Sequence, residues 1–331
     1  MKAITYRAFG PARDVLQIEA LECPPPGAGE VTVDLTFSAV NPSDVKARAG
    51  ARAGMTELPW PAIVPHSDGA GTVSAVGDGV DPARIGQQVW IWNGQWQRAF
   101  GTAAEQITLP ATQAVPLPAG VPLETGAVLG IPGLTACHTV FSAGEVSGTT
   151  VLVHGGGGSV GALAVQFARW GGAKVIATCS PADQERVLSL GAAAALDYRA
   201  PDLAGEILAA NSGQPVDHIV EVEFGANAET DAAVIRESGR ITAYGSARIM
   251  QPQLPFYPLM FKNVTLEMAL VYMLTPEQRR AAETRLTRAM EDNALQLPAP
   301  AVFDFEEAAA AHEAVEQGKF EGAVLIRTAP S

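Results

Sequence analysis

A glycine-rich stretch that follows an apolar segment has the strongest chemical signal in the sequence. The apolar segment Thr150–His154 precedes it, and a helical pattern follows over 161–170. The glycines fit both GxGxxG and GxxGxxG, spacings that allow a tight turn after a strand, bring a pyrophosphate against the backbone and aim a helix N-terminus at that anion. This context predicts a pyrophosphate-binding loop, with a flexible glycine linker as the alternative. The loop comprises Gly155, Gly156, Gly157, Gly158, Ser159, Val160 and Gly161.

The end of the next strand indicates which dinucleotide binds. A carboxylate there would bind the ribose hydroxyls of NAD, but the predicted strand Lys174–Thr178 has none at its tip, and Asp183 lies further along the chain. The hydroxyl of Ser180 and the guanidinium of Arg186 suit a 2′-phosphate, which favours NADPH over NADH. Tyr198 closes the third strand, where the adenosine end is expected. The alternative for Arg186 is an ordinary solvent-exposed charge.

The elements around this loop indicate the fold. From near Pro122, strand patterns alternate with helix patterns, which is typical of βαβ units and a parallel sheet. The earlier part of the chain contains short strands separated by turns, such as the alternating segment Glu30–Phe37. The sequence therefore predicts an α/β protein with a doubly wound parallel sheet beside a β-rich part. Other predicted elements are the strands Ala70–Gly77, Ile85–Trp92 and Ala323–Ile326 and the helices Thr275–Asn293 and Phe303–Gln317.

The composition narrows the classes of function. The 331 residues include 22 Lys+Arg and 35 Asp+Glu, a formal net charge of −13 that disfavours nucleic acid and anionic membrane surfaces. The three cysteines Cys23, Cys137 and Cys179 are too widely spaced for a disulfide framework or a CxxC zinc motif. The first residues lack the apolar region of a signal peptide, and no apolar run suits a membrane span. We therefore expect a cytoplasmic protein that acts on a small molecule.

Several motifs in order resemble one family across essentially the whole chain. They resemble the medium-chain dehydrogenase/reductase superfamily, and within it the zinc-free quinone oxidoreductases related to zeta-crystallin. The resemblance implies a GroES-like catalytic domain over 1–122, completed by 268–331, a Rossmann domain over 123–267, an active site in the cleft between them, and a homodimer or homotetramer. Besides the glycine loop, the motifs are Asn41–Lys46, Ser67–Gly71, Gly133–Ala136 and His312–Leu325.

The resemblance also bears on metal binding. Zinc-dependent relatives have a Cys ligand at the place of Asn41 and a His ligand at the place of Ser67, followed by a Glu at the place of Asp68. An amide and a hydroxyl are poor ligands for Zn²⁺, so no catalytic metal is expected. His66, one residue away, is interpreted as structural.

Without a Lewis acid, the expected reaction is hydride transfer from NADPH to an acceptor that is already electrophilic, such as a quinone or an enone. Asn41 is a candidate catalytic residue that would donate a hydrogen bond to the acceptor or to the carboxamide, with a turn-forming role before Pro42 as the alternative. Asp44 and Lys46 complete the candidate catalytic group, in which Asp44 would orient Lys46 or the backbone, or form a structural ion pair. The resemblance places Thr135 at the carboxamide, and Tyr244, Gly245 and Ser246 beside the ribose and pyrophosphate.

One departure from the family leaves the acceptor open. Quinone reductases often have a Tyr at the place of Lys46 and another after the motif that matches Arg48–Gly50, whereas 51–54 here contain none. The alternatives are a 2-alkenal or enoyl reductase and a non-catalytic NADPH-binding protein of the same fold. Lys319 is a further candidate for the 2′-phosphate, with a surface charge as the alternative.

Overall fold

The chain forms two compact units in a computed structural model that describes residues 1–52, 54–318 and 322–328. The first unit comprises Met1–Ile131 and Leu297–Ser331, and the second comprises Pro132–Gln296. The sequence-based domain boundaries, at 122/123 and 267/268, stay a prediction. Ala53, within the segment that lacks a tyrosine, and Lys319 lie outside the described residues.

The strands lie in the β-rich first part of the chain, in the alternating region that follows it, and in the C-terminal segment. They are β1 (Lys2–Thr5), β2 (Gln17–Ala20), β3 (Glu30–Val40), β4 (Asp68–Val76), β5 (Gln88–Ile91), β6 (Gln106–Pro110), β7 (Ala114–Pro116), β8 (Thr150–His154), β9 (Lys174–Cys179), β10 (Ala194–Asp197), β11 (Val216–Glu221), β12 (Ile235–Ala243), β13 (Thr265–Met268), β14 (Ala301–Phe303) and β15 (Val324–Arg327).

The α-helices are concentrated in the second half of the chain. They are α1 (Ala12–Val15), α2 (Pro42–Arg48), α3 (Leu123–Ala127), α4 (Ile131–Phe141), α5 (Ser159–Trp170), α6 (Gln184–Ser189), α7 (Leu203–Ala210), α8 (Phe224–Val234), α9 (Phe256–Phe261), α10 (Pro276–Glu291) and α11 (Ala308–Gln317).

The second unit contains a six-stranded sheet in the order β10-β9-β8-β11-β12-β13, and every pairing is parallel. This order reverses direction between β8 and β11, which is the arrangement of a doubly wound Rossmann sheet, and ligands bind at that switch point outside the carboxyl ends of the strands. Apolar residues such as Leu152, Ile176 and Ile219 are fully buried in its core. The predicted parallel sheet is confirmed.

The first unit is built on a largely antiparallel sheet in the order β14-β15-β3-β4-β5-β7, with β6 also paired to β3. The C-terminal strand β15 pairs antiparallel with β3, so the end of the chain completes the β-rich part that its beginning forms. The alternation along β3 places Val31, Val33 and Leu35 in the core, as the period of the sequence predicts.

Two predicted elements begin at least three residues later in the structure than the sequence predicts. Residues 85–87 are not in a strand, because they belong to a turn and β5 begins only at Gln88. In that turn the N–H of Ile85 donates to the carbonyl of Pro82 at 3.1 Å, and the N–H of Gln87 donates to the carbonyl of Arg84 at 3.0 Å. Phe303 ends β14, and α11 begins only at Ala308 after a 3₁₀ turn at Phe305–Glu307. Both errors are at element ends, where local hydrogen bonds decide and periodicity gives little information.

No helix within the described ranges is long and apolar enough to cross a bilayer. The location in the cytoplasm stays a prediction.

Candidate functional site

The predicted glycine loop turns at the carboxyl end of β8. Gly155 has φ +72°, a left-handed conformation that favours glycine. The N–H of Gly156 donates to the carbonyl of Thr178 at 2.8 Å, and the N–H of Gly158 donates to the carbonyl of Gly155 at 2.9 Å. A Cβ at Gly161 would lie 2.1 Å from the oxygen of Gly155, so this glycine is required for the loop to pack against α5. These contacts fix the loop to the ends of β8 and β9.

Gly158 is the loop residue that leaves an open cradle. It is the exposed residue that precedes α5, with φ −84° and ψ 167°, and the nearest atom to a Cβ built there is 3.5 Å away. In the described part of the chain no side chain caps α5, so its first N–H groups, from Ser159 and Val160 onward, face a site that suits an anion. The residues present therefore fit the pyrophosphate of a dinucleotide.

A buried cluster of charged groups lies directly beneath the loop. The Nε2 of His154 is 3.0 Å from Oδ1 of Asp231 and 3.6 Å from Oε2 of Glu221, and its Nδ1 is 3.0 Å from Oγ1 of Thr178. Burial alone would lower the pKa of His154, but the carboxylates of Glu221 and Asp231 outweigh it and raise this pKa to about 9. The charged imidazole therefore links the carboxyl ends of β8, β9 and β11 to α8.

Sequence reasoning missed this cluster, because its members are separated by up to 77 residues. The one available signal is that His154 and Glu221 are polar residues that directly follow the apolar runs 151–153 and 219–220 at the ends of their strands. Among the described residues it is also the one group of three or more His, Cys, Asp or Glu side chains close enough to share a metal ion. The ion pairs of His154 with Glu221 and Asp231 explain why these charged side chains are buried together.

The two residues predicted to bind a 2′-phosphate lie together at the end of β9. The Oγ of Ser180 donates to Oδ2 of Asp183 at 2.7 Å, and Nη2 of Arg186 donates to Oδ1 of the same carboxylate at 2.8 Å. The N–H of Tyr198 donates to the carbonyl of Cys179 at 3.3 Å, and 45% of the Tyr198 surface is exposed beside them. Asp183, which lies beyond the strand tip where the sequence analysis sought a carboxylate, is thus part of this site.

The loop after β12 occupies the same edge of the sheet. The N–H of Tyr244 donates to the carbonyl of Glu221 at 2.9 Å, and the carbonyl of Gly245 accepts from the N–H of Phe224 at 3.1 Å. The Oγ of Ser246 accepts from the N–H of Gly225 at 2.9 Å. A Cβ at Gly245 would lie 2.4 Å from the oxygen of Val222. These hydrogen bonds hold the loop beside the end of β11, next to the switch point.

The candidate catalytic residues begin helix α2 in the first unit. Asn41 precedes the helix, its backbone N–H donates to the carboxylate of Asp44 at 2.8 Å, and its Nδ2 donates to Oδ2 of Asp68 at 2.8 Å. Burial raises the pKa of Asp44 to about 7, against the hydrogen bonds from Asn41 that lower it. Lys46 is exposed, and the structure shows no Asp44–Lys46 ion pair in the described part of the unit. Asp44 thus orients the backbone of Asn41.

Thr135 belongs to the second unit, where it is buried in α4. The cofactor-facing role that the resemblance gives it stays a prediction.

His66 is part of a buried hydrogen-bond chain. The Oγ1 of Thr102 donates to the carbonyl of Asp68 at 2.6 Å, so it accepts from Oγ of Ser38 at 2.8 Å. Ser38 in turn accepts from Nδ1 of His66 at 2.8 Å, and Nε2 of His66 accepts from Nε2 of His312 at 2.8 Å. Burial lowers the pKa of both histidines, that of His312 to about 3, so both rings are neutral and each has one defined tautomer.

Two family models match the chain. The "Alcohol dehydrogenase GroES-like domain" matches residues 27–119, and the "Zinc-binding dehydrogenase" domain matches residues 159–288. Together they define the class of the medium-chain dehydrogenases/reductases. The quinone oxidoreductase of Rattus norvegicus is 31% identical over 248 residues, which cover 74% of this chain and 73% of that protein. The chain therefore belongs to the quinone oxidoreductase family of that class.

Two solved structures resemble the whole chain. An NAD-dependent alcohol dehydrogenase superposes with a TM-score of 0.86 at 29% identity, covering 99% of this chain and 100% of its own. A mycobacterial protein solved in complex with NADPH superposes with a TM-score of 0.83 at 28% identity, with the same coverage. These likenesses support a nicotinamide cofactor, and they include both of its forms.

The residues at the family's zinc positions do not suit that metal. The amide of Asn41 donates to Asp68, Ser67 is a buried hydroxyl, and Oδ2 of Asp68 already accepts from Asn41 and from the N–H of Ile131, each at 2.8 Å. Zinc sites in proteins are built from thiolates, imidazoles and carboxylates.

Proposed function

We propose that this protein is an NADPH-dependent oxidoreductase that transfers hydride to a quinone or a similar conjugated carbonyl acceptor without a metal. The observation that supports it most is the cradle at Gly158, where the backbone N–H groups at the start of α5 are open to an anion. When bound, the dihydronicotinamide supplies the hydride. The acceptor also takes up one proton, from water or a nearby donor. The remaining tasks of the protein are binding, orientation and polarisation of the acceptor.

The chain's own residues supply these tasks in the proposal. Gly155–Gly161 and Tyr244–Ser246 hold the pyrophosphate and ribose, and Ser180, Arg186 and Tyr198 hold the adenosine end. Asn41 is the proposed amide donor to the acceptor carbonyl, because Asp44 and Asp68 fix its backbone and its side chain. Lys46 is the third member of the proposed catalytic group and supplies a cation close to Asn41 in the chain. These assignments follow the resemblance and stay proposals.

The acceptor is tested by measuring NADPH consumption against quinones, 2-alkenals and enoyl thioesters. Turnover with quinones supports the proposal, while turnover confined to enoyl thioesters or alkenals supports a reductase of those substrates. Binding of NADPH without turnover on any of them supports a non-catalytic nucleotide-binding protein.

Asn41→Ser separates the catalytic role of Asn41 from its alternative as a turn former. Serine also precedes helices well, so it keeps the turn but lacks the amide donor. We expect a loss of about 10²-fold in kcat, the usual cost of one such donor, with unchanged NADPH affinity. An unchanged kcat would mean that Asn41 only forms the turn before α2 and has no catalytic role.

Zinc independence is tested with chelators and elemental analysis. We expect no stoichiometric zinc and full activity after treatment with a chelator. Activity that is lost on chelation and restored by Zn²⁺ would contradict the proposal.

We propose that a homodimer, which the resemblance implies as an alternative to a homotetramer, forms through an apolar surface on the second unit. Within 249–273 the charged side chains are satisfied internally, since Nζ of Lys262 donates to three backbone carbonyls and Glu267 accepts from His138 and Arg240. Strand β13 ends the six-stranded sheet and pairs on one side with β12 among the described residues. A second copy could extend the sheet about a twofold axis and cover this surface. The exposed apolar residues of this surface on the second unit are Ile249, Met250, Leu254, Phe256, Tyr257, Met260, Phe261, Met268, Leu270 and Met273.

A further inference from the structure

One carboxylate occupies the centre of the site proposed for the 2′-phosphate. Both residues proposed to bind that phosphate, Ser180 and Arg186, donate to the two oxygens of Asp183, at 2.7 and 2.8 Å. Nη2 of Arg186 also donates to the carbonyl of Gly157 at 2.5 Å. The polar groups that would receive an anion are therefore already engaged by an anion of the chain.

The position of this carboxylate places it at the glycine loop. A Cβ built on Gly157 would lie 2.6 Å from Oδ2 of Asp183, so the carboxylate lies against the loop backbone at the carboxyl ends of β8 and β9. About a third of the Asp183 side chain is exposed, 32%, so a ligand can reach it. In a Rossmann sheet the adenosine ribose lies at the end of the second strand, which is β9 here.

The charge of Asp183 is secured by its partners. Burial opposes ionisation, but the hydrogen bonds from Ser180 and Arg186 lower the pKa of Asp183. The group is therefore a carboxylate at neutral pH. A carboxylate accepts a hydrogen bond from a ribose hydroxyl and repels a phosphate.

We propose that Asp183 is a specificity-determining residue, which favours the 2′-hydroxyl of NADH and opposes the 2′-phosphate of NADPH by holding Ser180 and Arg186. This inference rests on the proposed function. To bind NADPH, Ser180 and Arg186 must turn from the carboxylate to the phosphate while the two anions stay close to each other. To bind NADH, neither has to move. The preference that Arg186 gives for NADPH is therefore partly cancelled in this chain.

The test compares Asp183→Asn with a charge-matched control in the adjoining helix α6. Glu185→Gln removes one negative charge from an exposed residue two positions away. Dissociation constants are measured for NADPH and NADH, and for 2′,5′-ADP and 5′-AMP, which report the adenosine end without the nicotinamide. We expect Asp183→Asn to raise the affinity ratio of NADPH to NADH at least tenfold, and that of 2′,5′-ADP to 5′-AMP similarly. Glu185→Gln should change either ratio less than twofold.

Two further measurements keep the outcomes distinct. Asp183→Asn combined with Arg186→Ala should lose the gain, because the phosphate then has no guanidinium to receive it. If Asp183→Asn does not fold by circular dichroism, Asp183→Ser takes its place. An equal change of both affinities, or a gain matched by Glu185→Gln, overturns the role of Asp183. A parent protein that binds neither dinucleotide contradicts the proposed function itself.

Discussion

At the scale of single residues, Gly158 differs from the other glycines of its loop in having room for a side chain. A Cβ at Gly161 would lie 2.1 Å from backbone, whereas at Gly158 the nearest atom is 3.5 Å away and φ is −84°. The Cβ of a side chain at Gly158 therefore meets only ordinary contacts, and the methyl groups of a valine there would extend into the cradle proposed for the pyrophosphate. This contrast makes the loop testable without unfolding the protein.

We expect Gly158→Val to weaken NADPH binding at least about tenfold, equivalent to about 1.4 kcal/mol, because its methyl groups exclude phosphate from the start of α5. The measurement is a fluorescence titration with NADPH, and circular dichroism checks the fold. Gly161→Val serves as the contrasting variant, which should lose the fold itself. A folded Gly158→Val protein with parental affinity would mean that the loop is a linker.

At the scale of elements, helix α11 is joined to the first unit's sheet by the buried pair of His66 and His312. His66 lies just before β4, and its Nδ1 is bonded to Ser38 in β3. Within the described residues, Nδ1 of His312 has no hydrogen-bond partner, as expected for the unprotonated nitrogen of a neutral ring. The packing therefore requires both rings to stay neutral. A second proton on His66 would remove its acceptor, and one on His312 would leave a buried charge with an unpaired Nδ1–H.

Because both rings must stay neutral, the stability of the first unit depends on pH. The pKa of His312 is about 3 in the folded chain, below its ordinary value of 6.5, because of burial and the nearby charge of Arg48. The unfolded chain consequently binds more protons than the folded chain between these values, and stability falls as the pH drops below about 6.5. The expected slope is up to about 1.4 kcal/mol per pH unit for each histidine.

We expect His312→Gln, which keeps an N–H donor but does not titrate, to flatten this dependence. The free energy of unfolding in urea is measured between pH 4 and 8 for the parent and the variant, and the difference between the two slopes isolates His312 from other titrating groups. Parallel curves for the two proteins would show that His312 contributes no acid sensitivity.

At the scale of the whole molecule, the apolar surface over 249–273 predicts self-association. Phe261 is 77% exposed at the end of α9, and a charge placed there would have to be buried in the proposed interface. We expect Phe261→Glu to raise the dimer dissociation constant at least about 30-fold, which corresponds to the roughly 2 kcal/mol of an interface hot spot. Sedimentation equilibrium measures it.

Ile85→Glu is the matched control for this prediction. Ile85 is an exposed apolar residue, 54% accessible, in the first unit and outside this surface. The variant should dimerise like the parent. If both variants stay dimeric, a different face forms the dimer, and if the parent is a monomer that binds neutral lipid vesicles, the surface serves a membrane.

The sequence correctly predicted the features of the fold that depend on local periodicity and on residue spacing. The alternation of strands and helices predicted the parallel sheet, and the spacing of Gly155, Gly158 and Gly161 placed a sharp turn between β8 and α5, because glycine is needed where the backbone makes a close approach. The resemblance predicted the family that the comparisons confirm. Element ends such as Gln88 and Ala308 were predicted less well from the sequence, since they depend on individual hydrogen bonds.

The packing of the folded chain determines which distant side chains meet. Asp183 lies four residues beyond the end of β9, and a strand pattern does not reveal that a 3₁₀ turn brings its carboxylate back against Gly157. The contacts of His154 with Asp231, and of His66 with His312, join positions 77 and 246 residues apart. Buried polar groups must find partners wherever the chain packing brings them together. Periodicity reports which residues are buried, and the packed fold determines what each of them touches.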